Sequence, residues 1–559
     1  MGIIQYLQNH DIYLQTYAKS KKRILLDFLG GPQISKLYRE GQQRKPEAGT
    51  VLFWMPGGLS LLLHVEAAIA AALQLRGIPV HAVICDGPYY ACVRRTVTQD
   101  RPPNSCRLDG IKCKVEPSAI LRYLRVPYSH IGDYVSRPNR SELWNKAESV
   151  TWETLDDLSY RDINLGKNTR SAIYRYLKGC EVSGHDEMVR QYAFTSLMTA
   201  AAASAAIDKI SPSRVMMSHG TYADWGPALR TAVSLGIPVT TWIDSLLLCR
   251  MVFRHIEDYN SMHFRDISEE AWEELVSLGM PSEKIERLNI YMQNRYKHTV
   301  DFDMKGQATY SGDAPKLREK YSLAPDKPVW GIMCHVNWDN VTDFSPMLYS
   351  TFDEWIINTI QEISKIQNVS WLIKIHPAEG WDTLESGVQR LVETHFPTLP
   401  DNIQIIPSKE KLSPLDFYEL VDGGVTVYGT PGLELALHGK PVILAGSAYY
   451  GRRGFTYDTA SIDEYIQLLH KAASLGPLND DQCLLAKKFA YCLFLQRQIP
   501  FPLICGPDSK NSGFQQDKRT LLLPGNDPFI DFICERILDG KDFIMDERLV
   551  ELAEDYEQV

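Results

Sequence analysis

Two short runs in the second half of the sequence place a histidine, a lysine, a threonine and a carboxylate where a phosphate ester could be held. Lys374-Ile375-His376-Pro377-Ala378-Glu379 begins where the apolar run Trp371 to Ile375 ends. An imidazole at the exit of a buried strand can donate to a phosphate or a leaving oxygen near neutral pH, changing charge as it does so. Pro377 fixes the backbone directly after it. The second run is Tyr428-Gly429-Thr430-Pro431-Gly432-Leu433-Glu434, followed by His438-Gly439-Lys440-Pro441-Val442. A strand ends, a glycine turn follows and a helix starts. The N–H groups at that start, with the Thr430 hydroxyl, suit a phosphate, and Glu434, one turn in, could accept both hydroxyls of a ribose. The bland alternative is that Thr430 caps the helix and Glu434 complements its dipole. A third run, Cys334-His335-Val336-Asn337-Trp338-Asp339, follows the first strand of this half. Asn337 there could close over a phosphate or sugar, or the run is a polar loop with Asp339 or Asn340 as a helix cap.

In the first half, Ser218-His219-Gly220-Thr221-Tyr222-Ala223-Asp224 also follows an apolar strand. His219 and Asp224 share one loop, so either could accept a proton from a hydroxyl with the other tuning it; equally, Asp224 could cap a helix starting near Trp225. Cys85, Cys92, Cys106 and Cys113 form a C-x6-C…C-x6-C pattern. Four thiolates so clustered can hold a structural zinc ion, with no position left open for substrate. The competing reading is four small buried hydrophobes, although Cys106 and Cys113 sit in a Pro/Asn/Asp/Gly-rich loop with little else to hold it.

These residues are carried by two stretches with a strand–loop–helix–strand rhythm, the pattern of a doubly wound parallel sheet with helices on both faces. In the first, a strand Thr50 to Met55, a Pro56-Gly57-Gly58 turn and a helix to Arg76 lead through Gly77-Ile78-Pro79 to a strand Val80 to Cys85. The same order recurs with a strand Arg214 to Met217, a helix Trp225 to Leu235, Gly236-Ile237-Pro238 and a strand Val239 to Ile243. Glycine caps each helix and proline forbids its continuation. In the second stretch, strands are predicted at Pro328 to Cys334, Val369 to Ile375, Ile403 to Ile406, Gly424 to Tyr428 and Pro441 to Ala445. The expected architecture is two Rossmann-like α/β domains facing a cleft. The first covers 1–305, with the Cys-rich loop 85–113 and a helical insertion at 117–192. The second covers 306–480, and 481–559 is a helical extension.

The 559 residues exceed one compact core. Lys and Arg number 59 against 69 Asp and Glu, and the net charge of −10 opposes general nucleic-acid binding. No run reads as membrane-spanning or as a signal peptide. Scattered single cysteines suit a reducing compartment, so the expected location is cytoplasmic, with peripheral association at the inner membrane face allowed.

The runs Lys374 to Pro377 with Glu379, Thr430 to Glu434, Gly439 to Val442, Tyr449-Tyr450 and Gly454-Phe455-Thr456 together resemble the bacterial capsule polysaccharide biosynthesis family. That family includes transferases that add Kdo from CMP-Kdo. The resemblance spans about 330–469. It implies a GT-B fold and an inverting glycosyltransferase with no metal needed for chemistry. It also implies a donor site that includes His376, Thr430 and Glu434; Lys374, Pro377, Gly429, Gly432 and Asn337 are the further candidates for donor binding. The implied partners are a nucleotide-sugar donor, CMP-linked by preference, and a saccharide or lipid-linked saccharide acceptor. Many members carry two adjacent hydroxyl residues where this chain has Gly429-Thr430. A nucleotide-sugar 2-epimerase, a transferase of polyol phosphate from a CDP-linked donor and a non-catalytic assembly protein are the alternatives on this scaffold.

Overall fold

The structure, a computed structural model, describes residues 49–57, 60–93, 106–178, 182–258, 263–297, 310–343, 346–380, 387–506 and 513–556. The chain divides into two compact units, and neither is continuous in sequence. The first takes 1–169, 186–242 and 501–541; the second takes 170–185, 243–500 and 542–559.

The first unit is built on β1 (Val51–Met55), β2 (Val80–Ile84), β3 (Tyr128–His130), β4 (Arg214–Ser218) and β5 (Val239–Asp244). They run parallel in the order β3-β2-β1-β4-β5. Every residue of β1 is buried, as a central strand covered on both faces requires. The helices Ser60–Leu75 and Asp186–Ile210 are alanine-rich and largely buried. No helix among the described residues is long and apolar enough to cross a membrane.

The second unit holds an antiparallel pair, β6 (Arg250–Ile256) with the short strand Ile499–Pro500, and a six-stranded parallel sheet. That sheet comprises β7 (Val329–Met333), β8 (Ser370–Lys374), β9 (Ile403–Ile406), β10 (Gly423–Thr426), β11 (Val442–Leu444) and β12 (Tyr457–Asp458). Its order is β9-β8-β7-β10-β11-β12. Both parallel sheets are therefore doubly wound, with the order reversing between β1 and β4 in one and between β7 and β10 in the other. A ligand crevice opens at such a reversal, beyond the carboxyl ends of the strands.

Three expectations are corrected. The boundary near 305 gives way to a split at 242, and 501–541 returns to the first unit, because contacts distant in sequence decide the division. The stretch 117–192 is not wholly helical, since it contributes β3 to the sheet. Cys106 and Cys113 lie in the helix Cys106–Tyr123 rather than in an unsupported loop.

Candidate functional site

In the second unit the reversal point brings together residues from the ends of β7, β8 and β10. Met333 pairs with Lys374 across β7 and β8, so His335 and His376 each stand two residues beyond the same rung. His335 Nε2 accepts the Tyr428 N–H at 3.4 Å and lies 3.1 Å from the Thr426 hydroxyl. Its ring stacks on Phe352 at 4.5 Å and 10°, with Tyr428 tilted beside it at 5.0 Å. Burial, and then the neighbouring His376, push the His335 imidazole down to about 3, so it is neutral at physiological pH. His376 accepts the Ala378 N–H on Nδ1 at 3.1 Å. A backbone proton aimed at one ring nitrogen leaves the neutral ring's own proton on the other. His376 is thereby an Nε2–H donor. Lys374, at the end of β8, is held below the usual lysine range by burial. Pro377 opens a single 3-10 turn, Pro377–Gly380.

Thr430 begins the helix Thr430–Leu437, whose N-cap is Gly429. The Thr430 hydroxyl accepts from Arg265 Nη1 at 2.9 Å and from the Tyr449 hydroxyl at 3.0 Å. His263 stacks on Tyr449 at 4.5 Å, and its Nδ1 accepts the Arg265 N–H at 3.1 Å. Thr430 is therefore not the cap; its oxygen is fixed by a guanidinium and a phenol. The helix start also offers fewer donors than the sequence suggests. Pro431 has no N–H, and the Gly432 N–H is taken by Gly429 C=O at 3.0 Å. Gly432 is required by close approach, since a Cβ there would lie 2.1 Å from the Tyr450 hydroxyl, which donates to Gly429 C=O at 2.7 Å.

Glu434 has a different partner from the ribose expected of it. Its carboxylate is 2% exposed and accepts from Arg295 Nε at 3.1 Å and Nη2 at 2.9 Å through Oε1. Placed one turn into a buried helix, it faces the interior and neutralises an interior arginine. Asn337 is also buried and donates to Asp353 Oδ1 at 3.1 Å, at the first turn of the helix Phe352–Ile363.

In the first unit the loop after β4 passes through two left-handed residues, Gly220 (φ 72°) and Tyr222 (φ 62°). A buried tyrosine there is strained, the kind of conformation that persists where surrounding structure imposes it. It turns the chain into the helix Tyr222–Ser234 with Thr221 as N-cap, so Asp224 lies inside the helix and does not cap it. The Asp224 C=O accepts from Trp54 Nε1 on β1 at 3.0 Å, and its Oδ2 accepts the Val93 N–H at 3.2 Å. Oδ1 is buried with no hydrogen-bond partner. Burial raises this carboxyl to about 7. His219 accepts the Thr221 N–H on Nδ1 at 3.2 Å and packs against Trp225 at 4.6 Å. Its neutral ring also carries the proton on Nε2. Beneath the loop, Glu66 is buried, accepts from the Ser218 N–H at 2.7 Å and from Trp242 Nε1 at 3.3 Å, and is raised by burial to about 8.

Cys85 and Cys113 are hydrogen-bonded through their thiols, an interaction that with burial raises Cys85 well above the usual thiol range. Cys92 is buried nearby, and the Cys106 side chain lies outside the described residues. Among the described residues no group of three His, Cys, Asp or Glu side chains is placed to hold a metal ion.

The structure thus gathers His376, Lys374, Gly429, Thr430 and Gly432 at one reversal point and His219 with Asp224 at the other. His335, Arg265, His263 and Tyr449 were not identified from sequence. His335 and Tyr449 stand in runs that had been noticed, whereas Arg265 reaches Thr430 from 165 residues away, with no motif to mark it.

No family model matches the chain, and no curated protein matches it. Among solved structures it is similar to the beta Kdo 2,4 transferase KpsC of Thermosulfurimonas dismutans, with 15% identity and a TM-score of 0.35 over 56% of this chain and 87% of that one. It is also similar to UDP-GlcNAc 2-epimerase from Neisseria meningitidis bound to UDP-GlcNAc, at 12% identity and a TM-score of 0.25 over 79% and 95%. A third is Anabaena Alr3699/HepE in complex with UDP and glucose, at 11% identity and a TM-score of 0.28 over 80% and 95%.

Proposed function

We propose that the chain is a GT-B glycosyltransferase that moves a sugar, with inversion, from a nucleotide-activated donor to a saccharide acceptor in surface polysaccharide synthesis. A CMP-linked acidic sugar such as CMP-Kdo is the favoured donor. The observation that carries this reading is the second unit's reversal point, where an Nε2–H histidine and a lysine stand at the end of β8 and a fixed threonine hydroxyl follows β10, the two strands that flank β7.

In this reading the donor phosphate is held by His376 Nε2–H and Lys374, and by Thr430 at the helix start. Those donors stabilise the negative charge that grows on the phosphate as the glycosidic bond breaks. The acceptor hydroxyl gives its proton to Asp224, whose raised pKa of about 7 matches a base working near neutrality. His219, with its proton on Nε2, acts as a hydrogen-bond donor and not as that base.

The test is a thermal-shift panel of CMP, CDP, UDP, GDP and ADP on the wild-type chain and on His376→Ala. A ligand specific to the folded state stabilises it by about 2.7 kcal/mol at a hundredfold excess over Kd. CMP is expected to stabilise the wild type and to lose most of that effect in the variant. No shift with any nucleotide would overturn the reading. Turnover of a nucleotide sugar without an acceptor would replace it with the epimerase.

A further inference from the structure

We infer that His335 is a second ligand-contacting residue at the reversal point of the second unit, donating its Nδ1–H to an anionic oxygen of the donor phosphate. This rests on the nucleotide-sugar reading above and adds a residue to it.

The argument starts from the ring's two nitrogens. Nε2 accepts the Tyr428 N–H at 3.4 Å, while the Thr426 hydroxyl 3.1 Å away donates to Met333 C=O at 3.3 Å. A ring that accepts a backbone proton on Nε2 carries its own on Nδ1. Nδ1 makes no hydrogen bond to any described residue, and it is not among the fully buried polar atoms that lack a partner. His335 as a whole is half-buried, not enclosed in the core.

The second line is position. His335 follows β7 and His376 follows β8 from the same rung, and β7 and β10 flank the reversal. The two rings have opposite tautomers, Nδ1–H for His335 and Nε2–H for His376, each imposed by a main-chain N–H. A Cβ on Gly429 would lie 3.4 Å from His335 Cε1, the ring carbon bonded to both nitrogens. The ring edge therefore borders the start of the helix Thr430–Leu437, where the phosphate is proposed to sit. The third line is rigidity. Stacking on Phe352 and the two contacts to Nε2 hold the ring in one orientation. Burial and His376 keep it neutral, which suits a donor that need not gain charge to bind.

The experiment uses the full chain, CMP as the probe and cytidine as its phosphate-free control. Long-range 1H–15N spectra of the histidine rings, assigned with a His335→Asn variant, are expected to show His335 as the Nδ1–H tautomer. Added CMP should shift its Nδ1 signal while cytidine leaves it in place. In calorimetry His335→Asn should weaken CMP binding at least tenfold, the loss expected for one hydrogen bond to a charged group, and leave the weaker cytidine binding unchanged. An Nε2–H tautomer, or an Nδ1 signal unmoved by saturating CMP, would overturn the inference even if the variant folds poorly. If the wild type binds no nucleotide, the underlying reading fails instead.

Discussion

Glu434→Gln is expected to cost fold stability before it costs nucleotide affinity. The Glu434 carboxylate and the Arg295 guanidinium are 2% and 5% exposed, and two N–H groups of Arg295 converge on one carboxylate oxygen. An amide of the same shape still accepts a hydrogen bond but carries no charge, so the arginine is left buried without its counter-ion. Removing one partner of such a pair costs about 3–5 kcal/mol, whereas replacing both with apolar groups of similar volume is often close to neutral. Urea unfolding should therefore place Glu434→Gln about 3–5 kcal/mol below the wild type. The double variant Arg295→Met/Glu434→Leu should recover most of that loss. Below its midpoint, Glu434→Gln should bind CMP within a few-fold of the wild type. The reasoning is refuted if Glu434→Gln unfolds like the wild type and fails to bind CMP, because the carboxylate would then be reading a ribose, as its sequence position suggests.

Gly432→Ala should displace the Tyr450 ring, because the added methyl would lie 2.1 Å from its hydroxyl; overpacking of this kind costs roughly 1–3 kcal/mol, readable as a lower urea midpoint. Glu66 has a folded pKa raised from 4.5 to about 8, so ionisation opposes folding progressively between those values and no further above them. Glu66→Gln should match the wild type near pH 4 and exceed it by a margin that grows to about pH 8, in thermal melts across that range. Asp224→Asn should bind CMP normally yet lose transfer, and the wild-type kcat/KM should fall below a limb near pH 7 as Asp224 becomes protonated. A variant that keeps transfer removes Asp224 as the base.

Legibility in the sequence followed the range of the forces involved. β2 and β5 were visible because Gly-Ile-Pro junctions end the helices before them, and β1 and β4 because they are apolar runs leading into glycine-containing turns. β3 escaped notice because Tyr128–His130 is three residues long and only half-buried, with no apolar run to mark it. β6 escaped because Arg250, Arg254 and His255 interrupt its pattern. Arg250 is nonetheless buried, donating to Gln498 C=O at 3.2 Å and Ala553 C=O at 2.6 Å, and Arg254 donates to His263 C=O at 2.6 Å. A charged residue whose partners are distant carbonyls reads as surface until the fold supplies them. The same blindness hid the partner of Glu434, since nothing near it in sequence announces Arg295. The placement of His376 beyond a strand and of Thr430 at a helix start was legible because both are local events.

Three histidines at these strand ends and loops, His219, His263 and His376, share one local device, in which Nδ1 accepts the N–H of the residue two positions on. Each neutral ring is thereby committed to donate from Nε2. Such a ring can steady an anion but has no lone pair at Nε2 with which to take a proton. His335 is held the other way round, by a main-chain N–H on Nε2. In its neutral form none of the four carries a lone pair on the nitrogen opposite the one that accepts a main-chain N–H. If the proposed transfer holds, the proton of the acceptor hydroxyl needs another acceptor, and the buried carboxyl of Asp224, with one oxygen unpartnered, is the group whose chemistry fits. In the proposed transfer, hydrogen-bond direction sets the division of labour: imidazoles would donate to the phosphate, and the carboxyl would accept from the alcohol.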